Sequence, residues 1–95
     1  MKLNKRQPIV IKVGSSLLTD ANWHLDREKM AALVSQVTAL KKQGYKCILV
    51  TSGAIAAGLT KLGLKKRPAE IPKLQAAAAV GQGLLIQLYA ELFAQ

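Results

Sequence analysis

The chain has 95 residues, 51% of them hydrophobic, and 14 Lys+Arg against 5 Asp+Glu give it a net charge of +9. That length allows one small domain, and that hydrophobic share excludes a disordered chain. A single cysteine excludes an intrachain disulfide, and the positive balance selects anionic partners: nucleotide phosphates, acidic metabolites or nucleic acid.

The basic side chains are spread over several segments: Lys2, Lys5 and Arg6, then Lys41, Lys42 and Lys46, then Lys65, Lys66, Arg67 and Lys73. Such scatter describes a solvated basic surface rather than a nucleic-acid patch. The stretch before Pro8 is too short and polar for a secretory signal, and no cleavage pattern follows it. These features point to the cytoplasm.

The first element is a strand over about residues 8–13. Its apolar run Ile9-Val10-Ile11-Lys12-Val13 is interrupted by Lys12 and followed at once by Gly14-Ser15-Ser16. Side chains alternate along a strand, so Lys12 shares a face with Val10 while Ile9, Ile11 and Val13 share the other. A lysine there must reach water or meet an anion, because burying an unpaired ammonium is costly. The Gly-Ser-Ser turn adds backbone N–H groups and two hydroxyls, and the whole suggests a phosphate cradle.

A polar loop over residues 14–25 follows. It contains Trp23 and His24; a lone histidine without partner ligands reads as a surface residue. Asp26 is a good helix N-cap, with Lys29 where a capping box would want Glu or Gln. Met30, Leu33, Val34, Val37 and Leu40 follow helical spacing. Gly44 sits just past Lys41-Lys42, as expected of a helix C-terminus.

A second strand covers about residues 46–51, with Cys47 expected as a buried structural thiol. Ser52-Gly53 then turns into a short helix over about residues 54–61. The basic loop 63–72 carries Pro68 and Pro72, both expected to break helix. A long Ala- and Leu-rich helix takes the rest. Its span from Leu74 to Ala90 has no charge but contains Gln75, Gln82 and Gln87. It grazes membrane-spanning length and reads instead as a helix buried between protein elements. Gly81 and Gly83 within it cost roughly 2 kcal/mol relative to alanine, which points to close helix packing, as does the run Ala76–Ala79.

Strand, helix, strand with this crossover is a right-handed βαβ unit with parallel strands. Both strands are apolar with little alternation, as in a sheet covered on both faces. Only two strands are legible, whereas sheets commonly have about 4–6, and two leave both edges unpaired. The expected fold class is therefore α/β, the first part of a larger domain.

Both strands end in a glycine turn, and ligands of open parallel sheets sit beyond the carboxyl ends of the strands. The second turn opens a helix whose first N–H groups and dipole favour an anion. The string from Gly53 to Thr60 nearly matches the phosphate loop G-x-x-x-x-G-K-[ST], but Leu59 stands where that motif needs lysine, so it is rejected. Ser52 has no His or Asp partner in sequence, which makes it a substrate-holding hydroxyl rather than a nucleophile.

Ile11-Lys12-Val13-Gly14-Ser15-Ser16-Leu17-Leu18-Thr19 resembles the first nucleotide-binding motif of the glutamate 5-kinases, a family of amino acid kinases. The run from Val50 to Gly58 resembles that family's substrate turn, and Ile71 to Gly83 its following helix. The resemblance covers nearly the whole chain, in order. It implies an α/β/α sandwich of which residues 1–95 form a partial kinase domain. It implies ATP-dependent phosphorylation of the γ-carboxylate of L-glutamate, with ATP and Mg²⁺ as cofactors, on the first step of proline biosynthesis. By this likeness Lys12 is catalytic and contacts ATP phosphate. Gly14, Ser15 and Ser16 line the phosphate path, and Ser52, Gly53 and Ala54 bind glutamate. It also implies a homo-oligomer, with the last helix near the interface, and no membrane partner.

Family members continue well past this length, so the expectation is a truncated kinase with little activity alone. Two other readings compete. One is a non-catalytic interaction module keeping the fold. The other is a small basic nucleic-acid binder, disfavoured because Trp23, Tyr45, Tyr89 and Phe93 are poor material for stacking platforms.

Overall fold

The computed structural model describes residues 5–95; of the scattered basic residues, Lys2 lies outside this range. Five elements carry the fold: strand β1 (Ile9–Val13), helix α1 (Arg27–Lys42), strand β2 (Cys47–Thr51), helix α2 (Ala54–Leu62) and helix α3 (Ile71–Phe93). A single 3₁₀ turn, Ser15–Leu17, follows β1 directly. The strands pair in parallel with Lys12 opposite Val50 and Val13 opposite Thr51. The expected βαβ unit is thus present, and both glycine turns leave from the same end of the sheet.

Helix α1 starts where Asp26 was expected to cap it. The Asp26 carboxylate accepts from the backbone N–H groups of Glu28 at 3.0 Å and Lys29 at 3.3 Å, a contact worth about 1 kcal/mol. Lys29 does not complete a capping box; its ammonium turns back to the Thr19 carbonyl at 2.6 Å and ties the preceding loop to the helix. At the other end Tyr45 N–H reaches the Leu40 carbonyl and Gly44 N–H the Lys41 carbonyl. This paired closure stops the helix and aims the chain into β2.

The core lies on one face of the sheet. Val13, Leu18, Met30, Val34, Ala57, Leu85, Tyr89 and Leu92 form it, and Ile11 and Leu49 pack against it. The other sheet face is open: Val10 is 62%, Ile48 49% and Val50 47% exposed, with Lys12 beside them. The expectation of a sheet covered on both faces is therefore corrected. Apolar side chains face both ways, but helices cover one side among the described residues.

Helices α2 and α3 meet at backbone contact. A Cβ at Gly58 would fall 1.8 Å from the Ala77 carbonyl oxygen, and one at Gly81 1.7 Å from that of Ala54. Hydrogen in place of a side chain at both positions lets the helix axes close up. The near-miss to a phosphate loop is thus a packing face, with Gly58 and Leu59 buried inside α2.

Three further expectations are corrected. Pro72 does not break helix; it sits in the first turn of α3, where the missing N–H is no loss. Cys47 is half-buried rather than sealed in the core. Helix α3 is covered on one face only, leaving Ile71, Val80, Ile86 and Phe93 exposed. By length and composition alone α3 could cross a membrane. Here its other face is occupied by α2, and α1 reaches it through Arg27 and Glu91, 3.6 Å apart.

Candidate functional site

A cleft of about 370 Å³ opens at the shared end of the strands. Ser15 lines it from the first turn, and Thr51, Ser52, Gly53, Ala54, Ile55 and Ala56 from the second. The two turns are held side by side by one further rung of the ladder, Ser52 N–H to the Val13 carbonyl at 3.0 Å.

The second turn is built around Gly53, whose φ of +117° is a left-handed conformation that side chains disfavour. It caps α2 with backbone alone, and no side chain bonds the helix start. The first helical bond runs from Ala57 N–H to the Gly53 carbonyl. The N–H groups of Ala54, Ile55 and Ala56 therefore have no partner within the helix, and all three residues line the cleft. Aligned N–H groups at a helix start, with the positive end of its dipole behind them, suit a carboxylate or phosphate oxygen.

The polar loop over residues 14–25 is folded over this site. Leu18 and Thr19 are buried, and Thr19 bridges Leu25 across the loop. The Asp20 carboxylate accepts from the N–H groups of Asn22 at 2.8 Å and His24 at 3.1 Å. These two bonds hold its pKa below the usual aspartate value, with the nearby His24 and Lys29 charges acting the same way. The turn forces Trp23 into φ 64° and delivers its half-exposed ring to the cleft. His24 Nε2–H donates to the Leu64 carbonyl at 2.7 Å, which ties this loop to the loop after α2. That second loop carries Arg67, the cationic side chain lining the cleft among the described residues.

Of the seven residues singled out in the sequence, the structure brings Ser15, Ser52, Gly53 and Ala54 to one cleft. Ser16 turns away and lines a neighbouring depression with Val13 and Lys29. Gly14 is exposed and starts the 3₁₀ turn. Lys12 stands on the open sheet face beside Val50, without an acidic partner among the described residues. Trp23 and Arg67 were not anticipated as cleft residues. A lone tryptophan in a polar loop was the signal for the first; the second was hidden in a general basic surface.

Two glycine turns meet at the carboxyl end of parallel strands, beside a helix start that no side chain caps, which is the ligand-facing end of an open α/β sheet. Residues 7–95 match the amino acid kinase family, and the chain belongs to that family. It is 55% identical over 96% of its length to a glutamate 5-kinase of Teredinibacter turnerae. It is 53% identical over 96% of its length to a glutamate 5-kinase of Saccharophagus degradans, and 51% identical over 90% to glutamate 5-kinase 2 of Bacillus subtilis. The chain spans 26%, 26% and 23% of these relatives, about a quarter of their length.

Proposed function

We propose that this chain is part of an ATP-dependent kinase that transfers phosphate to the γ-carboxylate of L-glutamate, giving γ-glutamyl phosphate for proline biosynthesis in the cytoplasm. The observation that carries the reading is the meeting of Ser15 with Ser52, Gly53 and Ala54 in one cleft. A phosphoryl donor and a carboxylate acceptor must lie side by side, and the two turns offer adjacent seats.

Phosphoryl transfer asks little covalent work of the protein; it asks for positioning and charge neutralisation. In this reading the Gly14–Ser16 turn holds ATP phosphates with backbone N–H groups and with the Ser15 hydroxyl, which lines the cleft. Lys12, the unpaired cation of β1, reaches over the sheet edge to the transferring phosphate. The Ser52 hydroxyl and the N–H groups of Ala54 and Ile55 hold the glutamate carboxylate. These fixed donors stabilise charge without reorganising as it develops. Mg²⁺ belongs to the chemistry of the nucleotide, but among the described residues no cluster of His, Cys, Asp or Glu could hold it. The residues present do not make a metal site.

The 95 residues are taken as part of a larger kinase domain with little activity alone. The two-stranded sheet with its open face supports this. Homo-oligomer formation is part of the same proposal, with exposed Val80 and Ile86 on α3 as apolar contact surface.

Calorimetry with ATP and with glutamate tests the reading. Binding of both, with ATP binding lost in Lys12→Ala, is the expected result. Binding of neither identifies a non-catalytic module. Salt-sensitive retention of RNA or DNA that ATP does not displace favours the nucleic-acid reading. Glutamate-dependent ADP release by this chain, abolished in Lys12→Ala, would overturn the expectation of little activity.

A further inference from the structure

Tyr89 brings a hydroxyl from the core to Thr51, a residue of the cleft wall, and nothing in the packing asks for it. The ring is 6% exposed, belongs to the core, and stacks on Phe93 with centroids 6.3 Å apart. Phenylalanine would fill the same space without the cost of desolvating a hydroxyl. The phenol is protonated at neutral pH, and burial pushes its pKa further up.

The hydroxyl lies 2.8 Å from Thr51 Oγ1, and Thr51 Oγ1 donates to the Ser52 carbonyl at 3.0 Å. A threonine hydroxyl carries one proton. With that proton on the Ser52 carbonyl, Tyr89 is the donor to Thr51. A relay thus runs from the Tyr89 O–H through the Thr51 O–H to the Ser52 C=O. Ser52 is consequently held at both ends of its backbone, since its N–H is bonded to the Val13 carbonyl. The next residue is Gly53 in its left-handed conformation, and after it come the open N–H groups of α2.

We propose that Tyr89 is a positioning residue for the acceptor substrate: from α3, through Thr51, it fixes the Ser52–Gly53–Ala54 turn that receives the substrate carboxylate. The inference rests on the reading of that turn as the glutamate seat. It reaches beyond it by assigning a part to a residue that does not itself line the cleft. The relay couples the α2–α3 packing to the geometry of the turn, so a displacement in the core is felt at the carboxylate.

Amide NMR and calorimetry on Tyr89→Phe and Thr51→Val test it. Both variants should shift the unliganded amide resonances of Ser52, Gly53 and Ala54. Both should weaken glutamate binding by about tenfold, the scale of one lost hydrogen bond, and leave ATP affinity unchanged. The double variant should be no weaker than either single one, because both cut the same relay. Thr51→Ser, which keeps the hydroxyl, should bind as the parent does. Unmoved turn amides with parental glutamate affinity in Tyr89→Phe would overturn the inference. Equal losses for ATP and glutamate would overturn it too, since they would mark a general loosening of the fold. Shifted turn amides in a protein whose parent takes no glutamate would overturn the proposed substrate instead, and leave the hold of Tyr89 on the turn in place.

Discussion

Gly81→Ala is the sharpest perturbation of this structure, because two opposing effects can be weighed on known geometry. By helix propensity alone the change stabilises by about 1 kcal/mol. Yet the new Cβ would sit 1.7 Å from the Ala54 carbonyl oxygen and 2.3 Å from the Gly58 nitrogen. Both obstacles are backbone of α2, so no side chain can swing aside. To reach even a 3.0 Å contact the helices must part by about 1.3 Å, which opens the core around Ala57 and Leu85. Overpacking that moves backbone costs about 1–3 kcal/mol, occasionally more; two backbone obstacles put this site at the upper end, so a net loss of about 2 kcal/mol is expected. Gly83→Ala is the matched control. It lies on the same helix, with nothing within 4 Å of its would-be Cβ, and should gain up to about 1 kcal/mol. Urea unfolding followed by circular dichroism reads both. The same sign for the two substitutions would refute the packing argument. Because Ala54 opens α2 in the cleft, Gly81→Ala should also weaken glutamate binding, whereas Gly83→Ala should not.

Three further outcomes are expected. Gly53→Ala meets no clash, its Cβ lying 3.6 Å or more from Leu18, Leu25 and Leu85, but it forces a side chain to φ +117°; a loss of about 1–3 kcal/mol should appear in the same unfolding assay, and an unchanged midpoint would contradict the strain. Asp20 titrates below the ordinary aspartate value of 3.8 in the folded loop, so its hold is complete above that pH and is lost as pH falls through the lowered folded value. Fluorescence of Trp23, the sole tryptophan, should report that release with a midpoint below 3.8, absent in Asp20→Asn; a midpoint above 3.8 would contradict the assignment. Lys12→Ala removes an exposed, unpaired side chain, so the melting curve without ligand should hold within about 0.5 kcal/mol, while stabilisation by added ATP disappears; a large loss without ATP would make Lys12 structural.

Much of this fold was legible because local signals agreed with one another. Asp26 before the periodic run Met30–Val37, and Gly44 after Lys41-Lys42, bracketed α1 from both ends. The alternation around Lys12 assigned the faces of β1 correctly. What the alternation could not reveal was which face helices would cover, since Val10, Ile48 and Val50 are as apolar as Ile9, Ile11 and Leu49. Pro72 misled because proline stops a helix from within yet suits its first turn, and only the chain direction into Ile71 decides between them. In the site, the glycine turns were visible as motifs. Trp23 and Arg67 arrive through loops whose shape depends on the local Asp20 bonds and the long-range His24–Leu64 contact, and neither leaves a periodic trace. The Tyr89 hydroxyl was invisible for a related reason: in sequence it is one more apolar position on α3, thirty-eight residues from its partner.

In the proposed kinase one cleft seats a nucleotide phosphate on the first turn and a carboxylate on the second. Amide NMR titration tests it most directly, with ATP and L-glutamate added separately. ATP should move the resonances of Lys12, Gly14, Ser15 and Ser16, and glutamate those of Ser52, Gly53, Ala54 and Ile55. Ligand-induced shifts confined to other parts of the chain, or no shift with either compound, would contradict it.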